Sequence, residues 1–285
     1  YEISLGLVGS EMCIRDRIAG VRRAEQLTFM HNDVCIRRHI RLRKEVERQV
    51  YSMNHKFMEE DILFEDEQIL VVRKHAGIAV QHAGAGAMDL EHLLLNYLAG
   101  KGVRTRRIPY LAVIHRLDQP VEGILVFAKT QEAARELNCQ LQRKEMKKEY
   151  VAVVEHAREE GSGKLVDYLW KDGKQNLSRV AVKGMPGAKQ SELDYWVRKK
   201  DGESGRALVE ILLKTGRHHQ IRVQMAHAGM PLCGDRKYNP ECIKGEELAL
   251  CAVRLSFRHP ANAEKLEFEI TPENPLFHDF AREGE

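Results

Sequence analysis

No stretch of this chain approaches the roughly 18 consecutive apolar residues that a membrane-spanning helix needs, and its start lacks the charged and apolar pattern of a secretion signal. Both absences point to a cytoplasmic protein with no membrane partner. The six cysteines, Cys13, Cys35, Cys139, Cys233, Cys242 and Cys251, contain no C-x-x-C pair, so neither a zinc ribbon nor a disulfide framework is expected and the thiols read as reduced. His218, His219 and His227 do not form H-E-x-x-H, and no cysteine or carboxylate completes a ligand set. No metal and no cofactor is expected. Internal repeats and low-complexity linkers are also missing, which excludes repeat arrays.

What is present is an ordinary globular composition. Of 285 residues, 43% are hydrophobic, enough for a continuous core. The 45 Lys and Arg stand against 42 Asp and Glu, a net charge of +3 that permits nucleic-acid binding without demanding it. Residues 1–17 (YEISLGLVGSEMCIRDR) have no helical or strand period and resemble a peptide translated from sequencing-adapter DNA, so they are set aside. Residues 18–57 crowd Arg37, Arg38, Arg41, Arg43 and Arg48 into one stretch, either a basic arm that grips phosphate or a solvated helix. Organised apolar patterning begins near Met58, a candidate start. Residues 58–285 read as one catalytic unit, preceded by a non-native or poorly ordered extension.

Within that unit, strands are expected at 62–64, 69–72, 110–114, 124–128, 150–154, 193–197, 207–213, 252–257 and 265–270, from short apolar or alternating runs. Helices are expected over 90–98, stopped by Gly100, and over 130–143, capped by Thr130 with Ala133, Ala134, Leu137 and Leu141 inward. Strands outnumber helices and most connections are too short for parallel crossovers. The fold class is therefore α+β, with a mixed, largely antiparallel sheet and flanking helices.

Two polar segments are pinned between apolar ones. The first, His115-Arg116-Leu117-Asp118-Gln119-Pro120-Val121-Glu122-Gly123, joins two strand candidates and would hold its charges rigidly at a sheet edge. Its local alternative is a surface turn in which Asp118 caps the Pro120–Gly123 stretch and Arg116 pairs with Glu122. The second runs from Leu213 through Gly216 into a helix ending near Gly229, placing Arg217, His219, Gln220 and Arg222 around a helix N-terminus suited to phosphate or carboxylate.

Together, HRLDQPVEG and LKTGRHHQIR resemble the RluA-type RNA pseudouridine synthases, whose signatures are H-R-L-D-x-x-T-S-G and L-x-T-G-R-x-H-Q-I-R. KKEYVAVV (147–154) is similar to that family's K-x-Y-x-A segment, and GMPLCGDRKYN (229–239) to its G-x-P-(I/L)-x-G-D-x-x-Y stretch. The resemblance spans about residues 60–275. It implies an isomerase that converts uridine in ribosomal or transfer RNA to pseudouridine, working as a monomer. Asp118 would be the catalytic carboxylate, as nucleophile or base. Arg222 would pair with it, and Tyr150 would lie against the uracil. Arg116 would fill the place of the extruded base, with His115, Arg217, His219 and Gln220 binding RNA.

The chain departs from the family pattern at Val121-Glu122 for Thr-Ser, at Lys74-His75-Ala76-Gly77 for Lys-Pro-x-Gly, and at Gln224 and Cys251 for histidines. An inward Glu122 would set a second carboxylate beside Asp118. Two rival readings follow: an RNA-binding protein on the same fold that has lost activity, and a metal-dependent hydrolase using the histidine cluster and Asp118.

Overall fold

The computed structural model describes residues 59–81, 88–101, 109–157 and 161–281. The expectations for residues 1–17 and 18–57 and for Met58 lie outside the described residues. The elements are β1 (Ile62–Glu65), β2 (Ile69–Lys74), α1 (Leu90–Lys101), β3 (Ala112–Val113), β4 (Glu122–Ala128), α2 (Gln131–Gln142) and β5 (Lys147–Val154). They continue with β6 (Gly161–Asp172), β7 (Leu177–Ala181), β8 (Lys189–Lys200), β9 (Ala207–Leu213), α3 (Gln220–His227), β10 (Leu250–Arg258), β11 (Lys265–Glu269) and α4 (His278–Ala281).

All eleven strands join one sheet in the order β1-β2-β4-β10-β5-β9-β8-β6-β7, with β11 on β10 and β3 on β4. Every pairing but β4 with β10 is antiparallel. The fold is the expected α+β class. The alternation of β2 and β4 sends Leu70, Val72, Leu125 and Phe127 into one core with Leu90 and Leu94 of α1 and Ile221 and Met225 of α3. Ile69, Val71, Ile124 and Val126 face the other side, against Ala133 and Leu137 of α2. Both faces of this end of the sheet are thus dry, which explains why β4 reads as a continuous apolar run.

Thr130 caps α2 as expected, accepting from the Ala133 amide at 3.1 Å. The segment 110–114 differs from expectation. Only Ala112 and Val113 pair as strand, Tyr110 is exposed, and just Ile114 is buried, because β3 pairs with only the last two residues of β4, Phe127 and Ala128. α1 also runs past Gly100 to Lys101. β6 and β7 were not anticipated. The burial of β6 alternates only weakly between exposed and half-buried positions, so its apolar signal is faint.

The parallel contact of β4 and β10 requires a glycine. Gly123 has φ +145°, and a Cβ there would stand 2.7 Å from the Ala252 backbone nitrogen. That contact fixes where β4 begins, two residues earlier than the apolar run.

Candidate active site

The loop between β3 and β4 is stapled to the turn after β2. Gly77 donates its amide to the Gln119 carbonyl at 2.8 Å, and the Gln119 side chain returns a bond to the Gly77 carbonyl at 3.1 Å. The fully buried Lys74 ammonium donates to the carbonyls of His75, Ile78 and Gln119 at 3.0, 2.8 and 3.1 Å. Burial pushes Lys74 down to about 7, against the pull of Asp118 and Glu122. Leu117 and Val121 are buried in the core, so Asp118 projects from a loop held on both sides.

That carboxylate opens onto a cleft of about 1630 Å³ lined by all of the expected site residues, among them Arg116, Tyr150, Arg217 and Arg222. Arg222 Nη1 lies 3.3 Å from Asp118 Oδ2, while its Nε and Nη2 donate to Asp235 at 2.8 and 2.7 Å. Asp235 is buried and also accepts from the amides of Lys237 and Tyr238. Arg222 therefore enters the site with one edge neutralised and one directed at Asp118. Its guanidinium also lies over the Tyr238 ring, 5.2 Å from the centroid.

His219 faces the same carboxylate, with Nε2 3.6 Å from Asp118 Oδ2, too long for a direct hydrogen bond. Its Nδ1 is 2.7 Å from the Tyr238 hydroxyl, which in turn accepts from the Ser178 amide at 2.7 Å. The Tyr238 proton is thereby directed to Nδ1, and a neutral His219 carries its own proton on Nε2, toward Asp118. Burial, then the charge of Arg222, pushes His219 down to about 2, so the ring is neutral. His219 thus belongs to the surroundings of Asp118. It occupies the N-cap of α3 with φ +52° and makes no capping bond.

Tyr150 is buried at the cleft wall, and burial followed by the charge of Asp118 raises its phenol pKa. Arg116 and Arg217 are exposed at the rim. His115 Nε2 accepts from the Val126 amide at 3.4 Å.

Gln220 is among the residues that line the cleft, and its side-chain amide turns inward. It is buried and accepts from the Thr215 hydroxyl and the Arg217 amide at 2.8 and 3.0 Å, while donating to the Glu192 carbonyl at 3.0 Å. Its amide braces the 213–219 turn from inside.

The proposed pairing of Arg116 with Glu122 is also absent. Glu122 is buried in β4 and accepts from the amides of Glu273 and Asn274 at 3.0 and 3.3 Å, with Arg73 3.9 Å away. Burial raises its pKa. The residue that broke the family pattern therefore anchors the C-terminal segment. Among the described residues, no group of three His, Cys, Asp or Glu side chains could hold a metal ion. No described helix is long and apolar enough to cross a membrane.

Lys74, Asp235, Tyr238 and Ser178 were not singled out from sequence. Asp235 and Tyr238 stood in view within GMPLCGDRKYN, but nothing in that string says which arginine they hold.

Residues 68–227 match the sequence profile described as RNA pseudouridylate synthase. The ribosomal large subunit pseudouridine synthase D of Neisseria meningitidis serogroup A is 35% identical over 232 residues, covering 76% of this chain and 59% of that protein. The ribosomal large subunit pseudouridine synthase C of Buchnera aphidicola is 33% identical, covering 77% of this chain and 68% of that protein. The chain thus spans about three fifths of the length of the Neisseria relative. Among solved structures, human RNA pseudouridylate synthase domain containing 4 superposes with a TM-score of 0.60 at 23% identity, covering 78% of this chain and 92% of that one. It shows the same fold. With the profile match running from β2 to the last residue of α3, through both Asp118 and Arg222, the chain belongs to the RNA pseudouridylate synthase family.

Proposed function

We propose that this protein isomerises uridine to pseudouridine in structured RNA, with ribosomal RNA the favoured substrate because the curated relatives are named for the large ribosomal subunit. The observation that carries the reading is Asp118 itself, a carboxylate on a stapled loop, facing an open cleft and held by an arginine whose other edge is buried on Asp235. A wide cleft rimmed by Lys and Arg suits a folded polyanion better than a small metabolite.

The reaction breaks the bond from ribose C1′ to uracil N1 and forms one from C1′ to C5. The proton on C5 leaves and N1 gains one, so no electrons are exchanged and no redox partner is needed. Asp118 acts either as the nucleophile at C1′ or as the base that takes a sugar proton, and Arg222 fixes its direction in both routes. Tyr150 provides the wall for the uracil ring. The target must first leave its stack, at a cost of a few kcal/mol, and Arg116 at the rim takes its place beside the neighbouring bases. His115 and Arg217 contact the RNA, whereas His219 faces Asp118. Residues 58–285 form the catalytic unit, the cleft is completed within one chain as suits a monomer, and the reaction runs in the cytoplasm.

The test is tritium release from large-subunit ribosomal RNA labelled at uracil C5, with EDTA present throughout. Release by the unmutated protein and none by Asp118→Asn is expected. Dependence on added metal would instead favour a hydrolase, and tight RNA binding without release would favour a binding protein that has lost activity.

A further inference from the structure

Two side chains from the start of α3 face Asp118, and one tyrosine holds both. Arg222 Nη1 and His219 Nε2 address the same oxygen of the carboxylate, Oδ2, at 3.3 and 3.6 Å. Tyr238 touches each of them. Its hydroxyl lies 2.7 Å from His219 Nδ1, the two rings meet edge to face with centroids 5.5 Å apart, and the Arg222 guanidinium rests over its ring at 5.2 Å. Its amide donates at 3.3 Å to Asp235, the carboxylate that binds the far edge of Arg222. His219 and Arg222 line the cleft, whereas Tyr238 and Ser178 do not, so Tyr238 can act on Asp118 only through its neighbours.

The hydroxyl is in turn fixed from the β6–β7 hairpin. Ser178 of β7 is buried, donates its amide to the phenol oxygen at 2.7 Å, and donates its hydroxyl to the His218 carbonyl at 2.8 Å. His218 stacks on His219, with ring centroids 3.7 Å apart, and its Nε2 lies 3.1 Å from Asn176 Oδ1 in the β6–β7 turn. An amide can only donate, so the phenol oxygen accepts from Ser178, and among the described residues His219 Nδ1 is the acceptor left for the phenol proton. A neutral imidazole that accepts on Nδ1 carries its hydrogen on Nε2, the atom facing Asp118. In the other tautomer a nitrogen lone pair would face the carboxylate and repel it.

We infer that Tyr238 is a positioning residue for the reaction: by setting the tautomer of His219 and seating Arg222 it holds the Asp118 carboxylate in its reactive direction, and Ser178 links the β6–β7 hairpin to that task. The assignment rests on the function proposed above. A separation of 3.6 Å is long for a hydrogen bond, but such contacts tighten when substrate fills the site. The ring of Tyr238 suffices to seat Arg222, whereas only its hydroxyl can direct His219. Removing the hydroxyl therefore separates the two tasks.

The experiment combines steady-state kinetics and filter binding on a large-subunit ribosomal RNA transcript with long-range 1H–15N spectra of 15N-histidine-labelled protein. It compares the unmutated protein, Tyr238→Phe, His219→Asn and the double variant. Asparagine is chosen at 219 because φ there is +52°, a region it tolerates. Tyr238→Phe should lower kcat about tenfold and leave KM and Kd unchanged. The double variant should lose no more than His219→Asn alone, because one residue acts through the other. In the unmutated protein, the signals that vanish in His219→Asn should show hydrogen on Nε2, and in Tyr238→Phe they should move toward the Nδ1–H pattern. Losses that multiply in the double variant would overturn the inference, as would full kcat or an unchanged tautomer in Tyr238→Phe. The Ser178 amide left without its acceptor lowers the melting temperature, but it neither changes a tautomer nor couples the two kinetic losses. If Tyr238→Phe does not fold, the unmutated spectrum decides, since hydrogen on Nδ1 of His219 would overturn the assignment. An unmutated protein that makes no pseudouridine would refute the proposed function, while the tautomer and its dependence on the hydroxyl would still decide whether Tyr238 directs His219.

Discussion

Nη1 of Arg222 stands 3.3 Å from Oδ2 of Asp118, and the opposite edge of the same guanidinium is bound by the buried Asp235. The two carboxylates on one arginine predict two different phenotypes. Asp118→Asn should lower turnover by on the order of 10³ or more, while RNA affinity holds or rises, since one negative charge has left a phosphate-binding face. Its melting temperature should stay close to that of the unmutated protein. Asp235→Asn instead leaves a buried arginine short of a partner, and should cost about 3 kcal/mol in denaturant unfolding as well as turnover. Undiminished tritium release by Asp118→Asn would remove the catalytic assignment.

His75 predicts a pH dependence of stability. Its ring lies 2.6 Å from Asp61 and 2.8 Å from Glu273, and the bond to Asp61, outweighing burial and helped by Glu273, raises its pKa from 6.5 to about 9. A pKa higher in the folded than in the unfolded state means that the contribution is fully present below about 6.5 and is lost as pH rises through about 9. After allowance for solvent around the exposed Glu273, the loss should be on the order of 1 to 2 kcal/mol. Urea midpoints at pH 6 and pH 9.5 measure it. His75→Gln should lack this part of the slope, and equal slopes in the two proteins would show that the cluster does not hold the histidine charged.

Arg116 is exposed at the mouth of the cleft, with no ion pair among the described residues. Arg116→Ala should therefore leave melting temperature unchanged and reduce turnover on a folded RNA more than on an unstructured strand, because the task proposed for it is to offset unstacking. Equal losses on both substrates would move it to general phosphate binding.

Glu122→Ser, which restores the residue usual in RluA-type enzymes, removes the acceptor of the Glu273 and Asn274 amides. Stability should fall by about 1 to 3 kcal/mol, the cost of unpaired buried donors. RNA affinity should not change, since the carboxylate faces away from the cleft. A marked gain in affinity would mean that Glu122 repels phosphate after all.

The sequence by itself determined the fold class and the family. Runs such as ILVV and ILVFA read as buried strands, Thr130 names the start of its helix, and Asp118 and Arg222 stand in motifs that match those of the family. Only the tertiary structure decided which way the remaining groups turn. The positive φ of Gly123 and its contact with Ala252 draw Glu122 into β4, and with it the carboxylate toward Glu273 rather than Asp118. Gln220 is spent inside its own turn, and His219 is oriented by a tyrosine 19 residues away. Lys74 meets Gln119 across 45 residues, and Arg222 meets Asp118 across 104. Local patterning records which residues are buried and at what period. It does not record which distant partner satisfies a buried polar group, because that depends on strand register and on the close approach of segments that only the folded chain brings together.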